Sequence, residues 1–143
     1  MVDTAAVRSD VERLLYRYAA AADELDVDTV ADLFEYASVD FAGRTARGRT
    51  DVHGLFTEVF AGAPRVKHLV SNLLIEISTQ PGAETASAHC TYTRWPLEPA
   101  MPLGLGEYSA TFAVHAGRWR FESFAVRRLW SRLPSAAPTP STT

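Results

Sequence analysis

The sequence predicts one domain of the α+β class, with helices first and an antiparallel sheet after them. Its 143 residues match the usual size of a single domain. Up to residue 60, apolar residues recur at every third or fourth position, which is typical of helices. Beyond Pro64 they alternate with polar residues and are rich in Val, Leu and Ile, which favours strands. Because helices and strands are segregated, the order argues against a doubly wound parallel sheet.

The first predicted helix runs from Thr4 to Leu25 and carries one apolar stripe. The stripe consists of Val7, Val11, Leu14, Leu15, Tyr18, Ala22 and Leu25. Asp26 or Asp28 can cap a second, short helix from Thr29 to Phe34, because a carboxylate accepts hydrogen bonds from the first backbone N–H groups of a helix.

Two short strands and a third helix follow. Ser38 to Phe41 predicts a short strand, and residues 43–48, with two glycines, predict a turn and a second brief strand. Thr50 can cap a helix from Asp51 to Phe60, which the sequence Gly-Ala-Pro then ends.

Four long strands complete the domain. Their predicted ranges are Val66 to Ser78, Glu84 to Trp95, Glu107 to His115 and Arg118 to Arg128. Residues 97–106 are predicted to form an irregular connection. The domain is predicted to span residues 1–133, and the Ser-, Thr-, Pro- and Ala-rich residues 134–143 to form a disordered tail.

Composition and charge argue against several classes of partner. The net charge is −3, from 14 basic and 17 acidic residues, whereas nucleic-acid binders normally carry a basic surplus. No apolar run approaches the roughly 18 residues of a membrane-spanning helix, and the first residues lack the pattern of a secretory signal. A single cysteine, Cys90, fits a reducing compartment. We therefore expect a cytoplasmic protein without nucleic-acid or membrane partners.

The sequence contains no strong catalytic or ligand-binding motif. Glycine-rich phosphate loops, Cys-x-x-Cys, His-Glu-x-x-His and Gly-x-Ser-x-Gly are absent, and the four histidines lack the spacing of metal ligands. We expect neither a metal nor another cofactor.

Two residues are candidates for acid–base chemistry. Strand geometry places His68, Val70 and Asn72 on one face, where a histidine and an amide could bind and deprotonate a substrate. The simpler interpretation is a histidine on a polar strand face. Asp23 lies near the end of the first helix and suits a base or the partner of a histidine, but it falls about 130° from the centre of the apolar stripe, which favours a solvated acid.

Several short motifs resemble a known family in their order and spacing. They are Tyr18-Ala19-x-x-x-Asp23-x-x-Asp26, Leu33-Phe34, Gly48, His68-x-Val70-x-Asn72 and Gly117-x-Trp119-Arg120-Phe121. Together they resemble the SnoaL-like polyketide cyclase family of the nuclear-transport-factor-2-like superfamily, to which scytalone dehydratase and ketosteroid isomerase are related. The resemblance covers about residues 8–130. It implies a cone in which a strongly bent antiparallel sheet wraps around the three N-terminal helices, usually as a dimer.

The resemblance also implies a catalytic pair. In the dehydratase branch, an aspartate at the Asp23 position hydrogen-bonds a histidine at the His68 position, and the pair transfers the proton. The tyrosines that polarise the carbonyl in that branch fall at Ala22 and Phe41 here, so the original carbonyl activation is not kept.

Further pocket positions follow from the same resemblance. The second histidine of the dehydratases falls near Trp95, and their pocket asparagine near Thr111. We therefore expect Phe41, Asn72, Trp95 and Thr111 to bind substrate in one apolar cavity with His68.

The function implied is that of a cofactor-independent enzyme for a small apolar carbonyl or hydroxyl compound, such as a polyketide or terpenoid intermediate. Proton transfer by Asp23 and His68 would lead to cyclisation, dehydration or isomerisation. The alternatives are a non-catalytic small-molecule-binding or accessory protein with the same pocket, and an accessory subunit of a larger oxygenase.

An expectation about assembly rests on one strand face. Alternation places Leu69, Leu73, Ile75 and Ile77 opposite His68, on the outside of the sheet. Leaving these aliphatic side chains in water would forfeit roughly 1.5–3 kcal/mol each. We therefore expect a homodimer through the outer sheet face.

Overall fold

The computed structural model describes residues 2–82, 84–98 and 100–132, and the predicted tail, residues 134–143, lies outside them. Three helices and six strands form within the described ranges. In chain order they are α1 (Thr4–Asp23), α2 (Val27–Leu33), β1 (Ser38–Phe41), β2 (Arg44–Arg47), α3 (Gly48–Phe60), β3 (Val66–Ser78), β4 (Thr85–Pro96), β5 (Gly104–His115) and β6 (Arg118–Ser131). The predicted α+β class is confirmed.

The strands form one open sheet in the order β2-β1-β6-β5-β4-β3. Neighbouring strands are antiparallel, except that β1 runs parallel to β6. The sheet departs from the expected antiparallel arrangement at this one pair, since β1 runs in the same direction as β6. Helix α1 packs against β3 and β6, which places the core between the helices and one sheet face.

Helix α1 ends earlier than its apolar stripe predicts. It begins after Asp3, whose carboxylate accepts hydrogen bonds from the first backbone N–H groups. It ends at Asp23, two residues before Leu25, which has a left-handed φ of 54°. Asp26 then caps α2 by accepting a hydrogen bond from the backbone N–H of Thr29. Asp23 therefore lies at the very end of α1, where the chain turns away.

The core between helices and sheet is strongly aromatic. Five phenylalanines are almost completely buried: Phe34, Phe56, Phe112, Phe121 and Phe124. Tyr18 of α1 packs edge-on against Phe34 and Phe124 with ring centroids 5.5 and 4.5 Å apart. These rigid rings fix the position of α1 over the sheet.

A β-bulge in β3 reverses the alternation of its side chains. Ser71 pairs with Thr91, but the next pair is Leu74 with His89, so two residues on β3 oppose Cys90 alone. Asn72 lies in this bulge with a φ of 53°, a conformation that asparagine tolerates better than most residues.

The bulge overturns the predicted outer apolar face. Leu73, Ile75 and Ile77 pack on the core, on the same side as His68, and only Leu69 of the four aliphatic residues faces outwards. An extra residue shifts every later side chain of a strand to the other face. The burial argument for a dimer through this face is therefore removed.

Candidate active site

Asp23 is a buried carboxylate at the point where α1 meets β3. It is 6% exposed and is the only buried charged residue in the described ranges. Its Oδ1 accepts hydrogen bonds from the backbone N–H and the ring Nδ1 of His68, at 2.6 and 2.8 Å. Lys67 Nζ lies 3.3 Å from Oδ2. Two hydrogen-bond donors and one ammonium group thus surround a carboxylate that water barely reaches.

The burial of Asp23 resolves the conflict raised by the helical wheel. The side chain points away from the apolar stripe, but α1 ends at this residue and the first residues of β3 cover it. Arg65 also donates a hydrogen bond from Nε to the backbone carbonyl of Asp23, 3.1 Å away, and so satisfies a carbonyl in the last turn of the helix.

His68 is oriented and held neutral by its surroundings. The Asp23 carboxylate accepts from Nδ1–H, which leaves the lone pair of the neutral ring on Nε2. Burial lowers the pKa of His68 below its ordinary value of 6.5, although the hydrogen bond and charge of Asp23 oppose this effect. At neutral pH the ring is therefore unprotonated and able to accept a proton at Nε2.

His68 lines a cavity of about 80 Å³ between α1, α3 and the inner face of the sheet. Its walls are largely apolar and aromatic. The lining residues are Tyr18, Ala22, Leu25, Phe41, Val59, Phe60, Ala63, Pro64, Val66, His68, Tyr92, Arg94, Tyr108, Val126 and Arg128. A mostly apolar space with a few polar groups is typical of sites for small molecules.

Three tyrosines form a stack along one wall of the cavity. Tyr92 and Tyr108 stack with ring centroids 4.4 Å apart, and Tyr108 and Tyr18 at 5.5 Å. All three rings are at most 4% exposed, and no hydrogen bond joins their hydroxyl groups to another described residue. Burial raises the pKa of each phenol, so the hydroxyl groups stay protonated and can donate.

Two arginines complete the polar part of the cavity. Arg94 lies directly opposite His68 in the β3–β4 register, and Arg128 lies opposite Gly106 in the β5–β6 register. The Arg128 guanidinium lies over the ring of Phe41, 5.4 Å from its centroid. Among residues 2–82, 84–98 and 100–132, no carboxylate forms an ion pair with either arginine.

The structure brings together only part of the predicted site. Asp23 hydrogen-bonds His68 as expected, and Phe41 lines the same cavity. The other predicted binding residues, Asn72, Trp95 and Thr111, lie outside it.

Each of these three departures has a local cause. Asn72 is exposed in the bulge. Trp95 follows Arg94, which takes the inward position of β4, and the indole N–H donates to Thr93 Oγ1 at 2.8 Å. Thr111 lies on the outer sheet face, where its hydroxyl is 2.6 Å from Ser123 Oγ. The expectation that these residues share one cavity with His68 is wrong.

The sequence patterns do not identify several of the residues that line the cavity. Tyr18 counts only as one member of an apolar stripe. Tyr92 and Arg94 could have been found, because strand alternation and a facing His68 place them on the inner side of β4. Arg128 stands at the predicted end of its strand, where a basic residue usually indicates a solvated surface.

Comparisons with known proteins agree with this architecture. A model of the SnoaL-like domain matches residues 3–125. The chain belongs to the SnoaL-like family. The resemblance predicted from the short motifs is thereby confirmed. A search of curated proteins gives no significant match.

Three solved structures illustrate the likeness. A protein of unknown function from Mycobacterium tuberculosis, Rv3472, is 24% identical, with a TM-score of 0.71 over 88% of this chain and 73% of that one. A Nostoc punctiforme protein of unknown function with a cystatin-like fold is 16% identical, with a TM-score of 0.72 over 85% and 90%. A candidate scytalone dehydratase from Novosphingobium aromaticivorans is 21% identical, with a TM-score of 0.69 over the whole of both chains. These likenesses confirm the predicted cone fold.

Within the described residues, no group of three or more His, Cys, Asp or Glu side chains is arranged to hold a metal ion. No helix in the same ranges is long and apolar enough to span a bilayer.

Proposed function

We propose that this SnoaL-like protein is a cofactor-independent enzyme that transfers a proton on a small carbonyl or hydroxyl compound. The observation that carries the proposal is the 2.8 Å hydrogen bond between His68 Nδ1 and Asp23 Oδ1 at the wall of a cavity. A neutral histidine held in one tautomer by a carboxylate is suited to general base catalysis.

In the proposed reaction, His68 Nε2 removes a proton from the carbon next to a carbonyl group. The electron pair of the C–H bond moves towards the carbonyl oxygen, which becomes an enolate. The ring becomes an imidazolium, and the Asp23 carboxylate at Nδ1 stabilises its charge. The tyrosine hydroxyl groups of the cavity supply hydrogen bonds for the enolate oxygen, in place of the dehydratase tyrosines, whose positions are taken by Ala22 and Phe41 here.

The same proton can then complete any of three reactions. Returned to another carbon, it gives an isomer. Given to a departing β-hydroxyl group, it releases water and leaves an enone. If the enolate carbon attacks a second carbonyl, the proton goes to the new alkoxide and a ring closes. A cavity of about 80 Å³ is smaller than most pockets for drug-sized ligands, so the substrate is small, or only the reacting part of a polyketide- or terpenoid-like compound enters.

Deuterium exchange tests the proposal without knowledge of the natural substrate. A panel of small ketones and β-hydroxyketones is incubated with the protein in D2O, and loss of the α-hydrogen signal is followed by NMR. We expect exchange above the buffer rate for some of the compounds. His68→Gln and Asp23→Asn should lower the rate by roughly 10²–10⁴-fold.

The chain contains a matched control pair. His53 Nε2 lies 2.9 Å from Asp28 Oδ1, but both side chains are exposed and neither lines the cavity. His53→Gln and Asp28→Asn should leave exchange unchanged. Equal rates in the wild-type protein and His68→Gln would refute the proposal, and compounds that bind in the cavity without any exchange would favour the non-catalytic binding protein.

A further inference from the structure

We infer that the ligand of this cavity is an anion, specifically a small keto or hydroxy carboxylate whose carboxylate is bound by Arg94 and Arg128. The inference rests on the proposed function for the reacting part of the molecule and adds the group that anchors it. It also departs from the apolar substrate that the family resemblance implies.

The charge balance of the site is the first argument. Asp23 and Lys67 compensate each other, and His68 is neutral at physiological pH. Arg94 and Arg128 are then two positive charges at one cavity with no carboxylate paired to them in the described part of the chain. A neutral carbonyl or hydroxyl group offers these guanidinium groups only ordinary hydrogen bonds, whereas a carboxylate accepts charge-assisted and bidentate ones.

The buried hydroxyl groups are the second, independent argument. Tyr18 and Tyr108 are each 2% exposed, and their hydroxyl groups lack partners among the described residues. Both belong to the cavity wall, and neither oxygen is sealed off from it, since the only sealed and unbonded polar atom in the described ranges is His115 Nε2. Hydroxyl groups that face the cavity without a protein partner are free to donate to a bound ligand, and a carboxylate offers them more acceptor lone pairs than an amide or a ketone does.

The sheet register places both arginines on the inner face, each opposite a glycine of β5. On the inner face, Arg94 lies opposite Gly104, and Arg128 lies opposite Gly106. Gly104 and Gly106 contribute no side chains of their own, and the phenol of Tyr92 lies against Gly106. His68 and Arg94 are cross-strand partners that both line the cavity, so a carboxylate bound by Arg94 lies on the same wall as the proposed base.

Isosteric pairs of ligands test the inference. The probes are acetoacetate with acetoacetamide, and 3-hydroxybutyrate with 3-hydroxybutyramide, so that each pair differs in charge and hardly in shape. Binding is measured from the ¹⁵Nε resonances of arginine and the ring resonances of tyrosine during titration. We expect each carboxylate to bind at least about tenfold more tightly than its amide.

Substitutions locate the anion. Arg94→Met and Arg128→Met should each weaken carboxylate binding by about tenfold or more and leave amide binding unchanged. Arg94→Lys should keep part of the affinity and provides a milder change in case Arg94→Met does not fold. Arg127→Met is the matched control, because Arg127 neighbours Arg128 but lies outside the cavity, opposite Glu107. Equal binding of acid and amide, no carboxylate binding, or equal losses in Arg127→Met and Arg128→Met would each overturn the inference.

The outcome can be separated from that of the proposed function. Binding is measured also in His68→Gln, in which proton transfer is disabled. Carboxylates that bind this variant and the wild-type protein equally, without exchange in either, would support the anion site and refute the enzyme. Neutral ketones that exchange faster than the matching keto acids would support the enzyme and refute the anion site.

Discussion

The hydroxyl groups of Tyr18 and Tyr108 occupy an unusual position at the scale of single residues. A buried phenol in a folded protein normally has a hydrogen-bond partner. Here neither hydroxyl has one among the described residues, although the rings themselves are tightly packed with Phe34 and Phe124. Packing of the rings therefore fixes both hydroxyl groups at the cavity wall, where they can donate to a ligand.

Removing either hydroxyl group should separate function from stability. In Tyr18→Phe and Tyr108→Phe the ring stays and only an unpaired donor is lost. We expect the free energy of unfolding to stay the same or to rise by up to about 2 kcal/mol. Proton exchange and carboxylate binding should both weaken. Urea denaturation and the two ligand assays measure these effects.

A loss of stability would contradict this expectation. If either variant were less stable by more than about 1 kcal/mol, the hydroxyl would have a structural partner. Tyr16→Phe is the control, since Tyr16 lies on the exposed side of α1 and is 49% accessible. It should change neither stability nor binding.

At the scale of secondary structure, glycines of β5 shape the site. Residues 97–106 are predicted to be irregular because prolines lie within and beside them, yet β5 begins at Gly104. A Cβ at Gly106 would lie 2.4 Å from the ring and hydroxyl atoms of Tyr92. Only glycine lets the Tyr92 phenol rest on the neighbouring strand at this distance.

Gly106→Ala should therefore displace Tyr92 and disturb the tyrosine stack. We expect a loss of roughly 1–3 kcal/mol in the free energy of unfolding, which is typical of overpacking. Combining Gly106→Ala with Tyr92→Ala should cost less than the sum of the single changes, because the clash is then absent. Thermal and urea unfolding of the three variants complete the double-mutant cycle.

The control for this cycle is a glycine without neighbours. A Cβ at Gly54, within α3, would meet no atom within 4 Å. Gly54→Ala should stabilise the protein by about 0.5–1 kcal/mol through helix propensity. Strictly additive losses for Gly106→Ala and Tyr92→Ala would show that the two residues do not interact.

The bulge in β3 shows how far the sequence can predict this site. Strand periodicity correctly places His68 and Val70 on the inner face, because both precede the bulge. It fails from Asn72 onwards, since one extra residue reverses the alternation and a single asparagine carries too little information to predict it. Only the family resemblance predicts the contact between Asp23 and His68, because the end of α1, which buries Asp23, is not evident in the apolar pattern.

At the scale of the whole molecule, several titratable side chains on the inward faces of α1 and the sheet are neutral in the folded state. Burial lowers the pKa of His68 and raises the pKa of Tyr18, Tyr92 and Tyr108. Burial also raises the pKa of the Cys90 thiol from 9.0 to about 11. Each of these groups makes the stability of the fold depend on pH.

These pKa shifts predict that the free energy of unfolding is greatest at intermediate pH and falls on both the acid and the alkaline side. On the acid side, the unfolded chain protonates His68 at its ordinary pKa of 6.5, above that of the folded state, so the free energy of unfolding falls as the pH drops below about 6.5. On the alkaline side, the unfolded chain ionises Cys90 and the tyrosines from their ordinary values of 9.0 and 10.0, so stability falls as the pH rises above about 9. Urea denaturation across this range measures both slopes.

Variants assign the two slopes to their groups. Each unit by which a pKa differs between folded and unfolded states changes the free energy of unfolding by about 1.4 kcal/mol. His68→Gln should flatten the acid side, beyond the slope contributed by the carboxylates that both proteins share. Tyr108→Phe should flatten the alkaline side and leave the acid side as it is. His53→Gln, at an exposed position, should alter the acid slope less than His68→Gln does; an equal effect would mean that burial of His68 does not set the pH dependence, and the neutral base on which the proposed proton transfer depends would lose its physical basis.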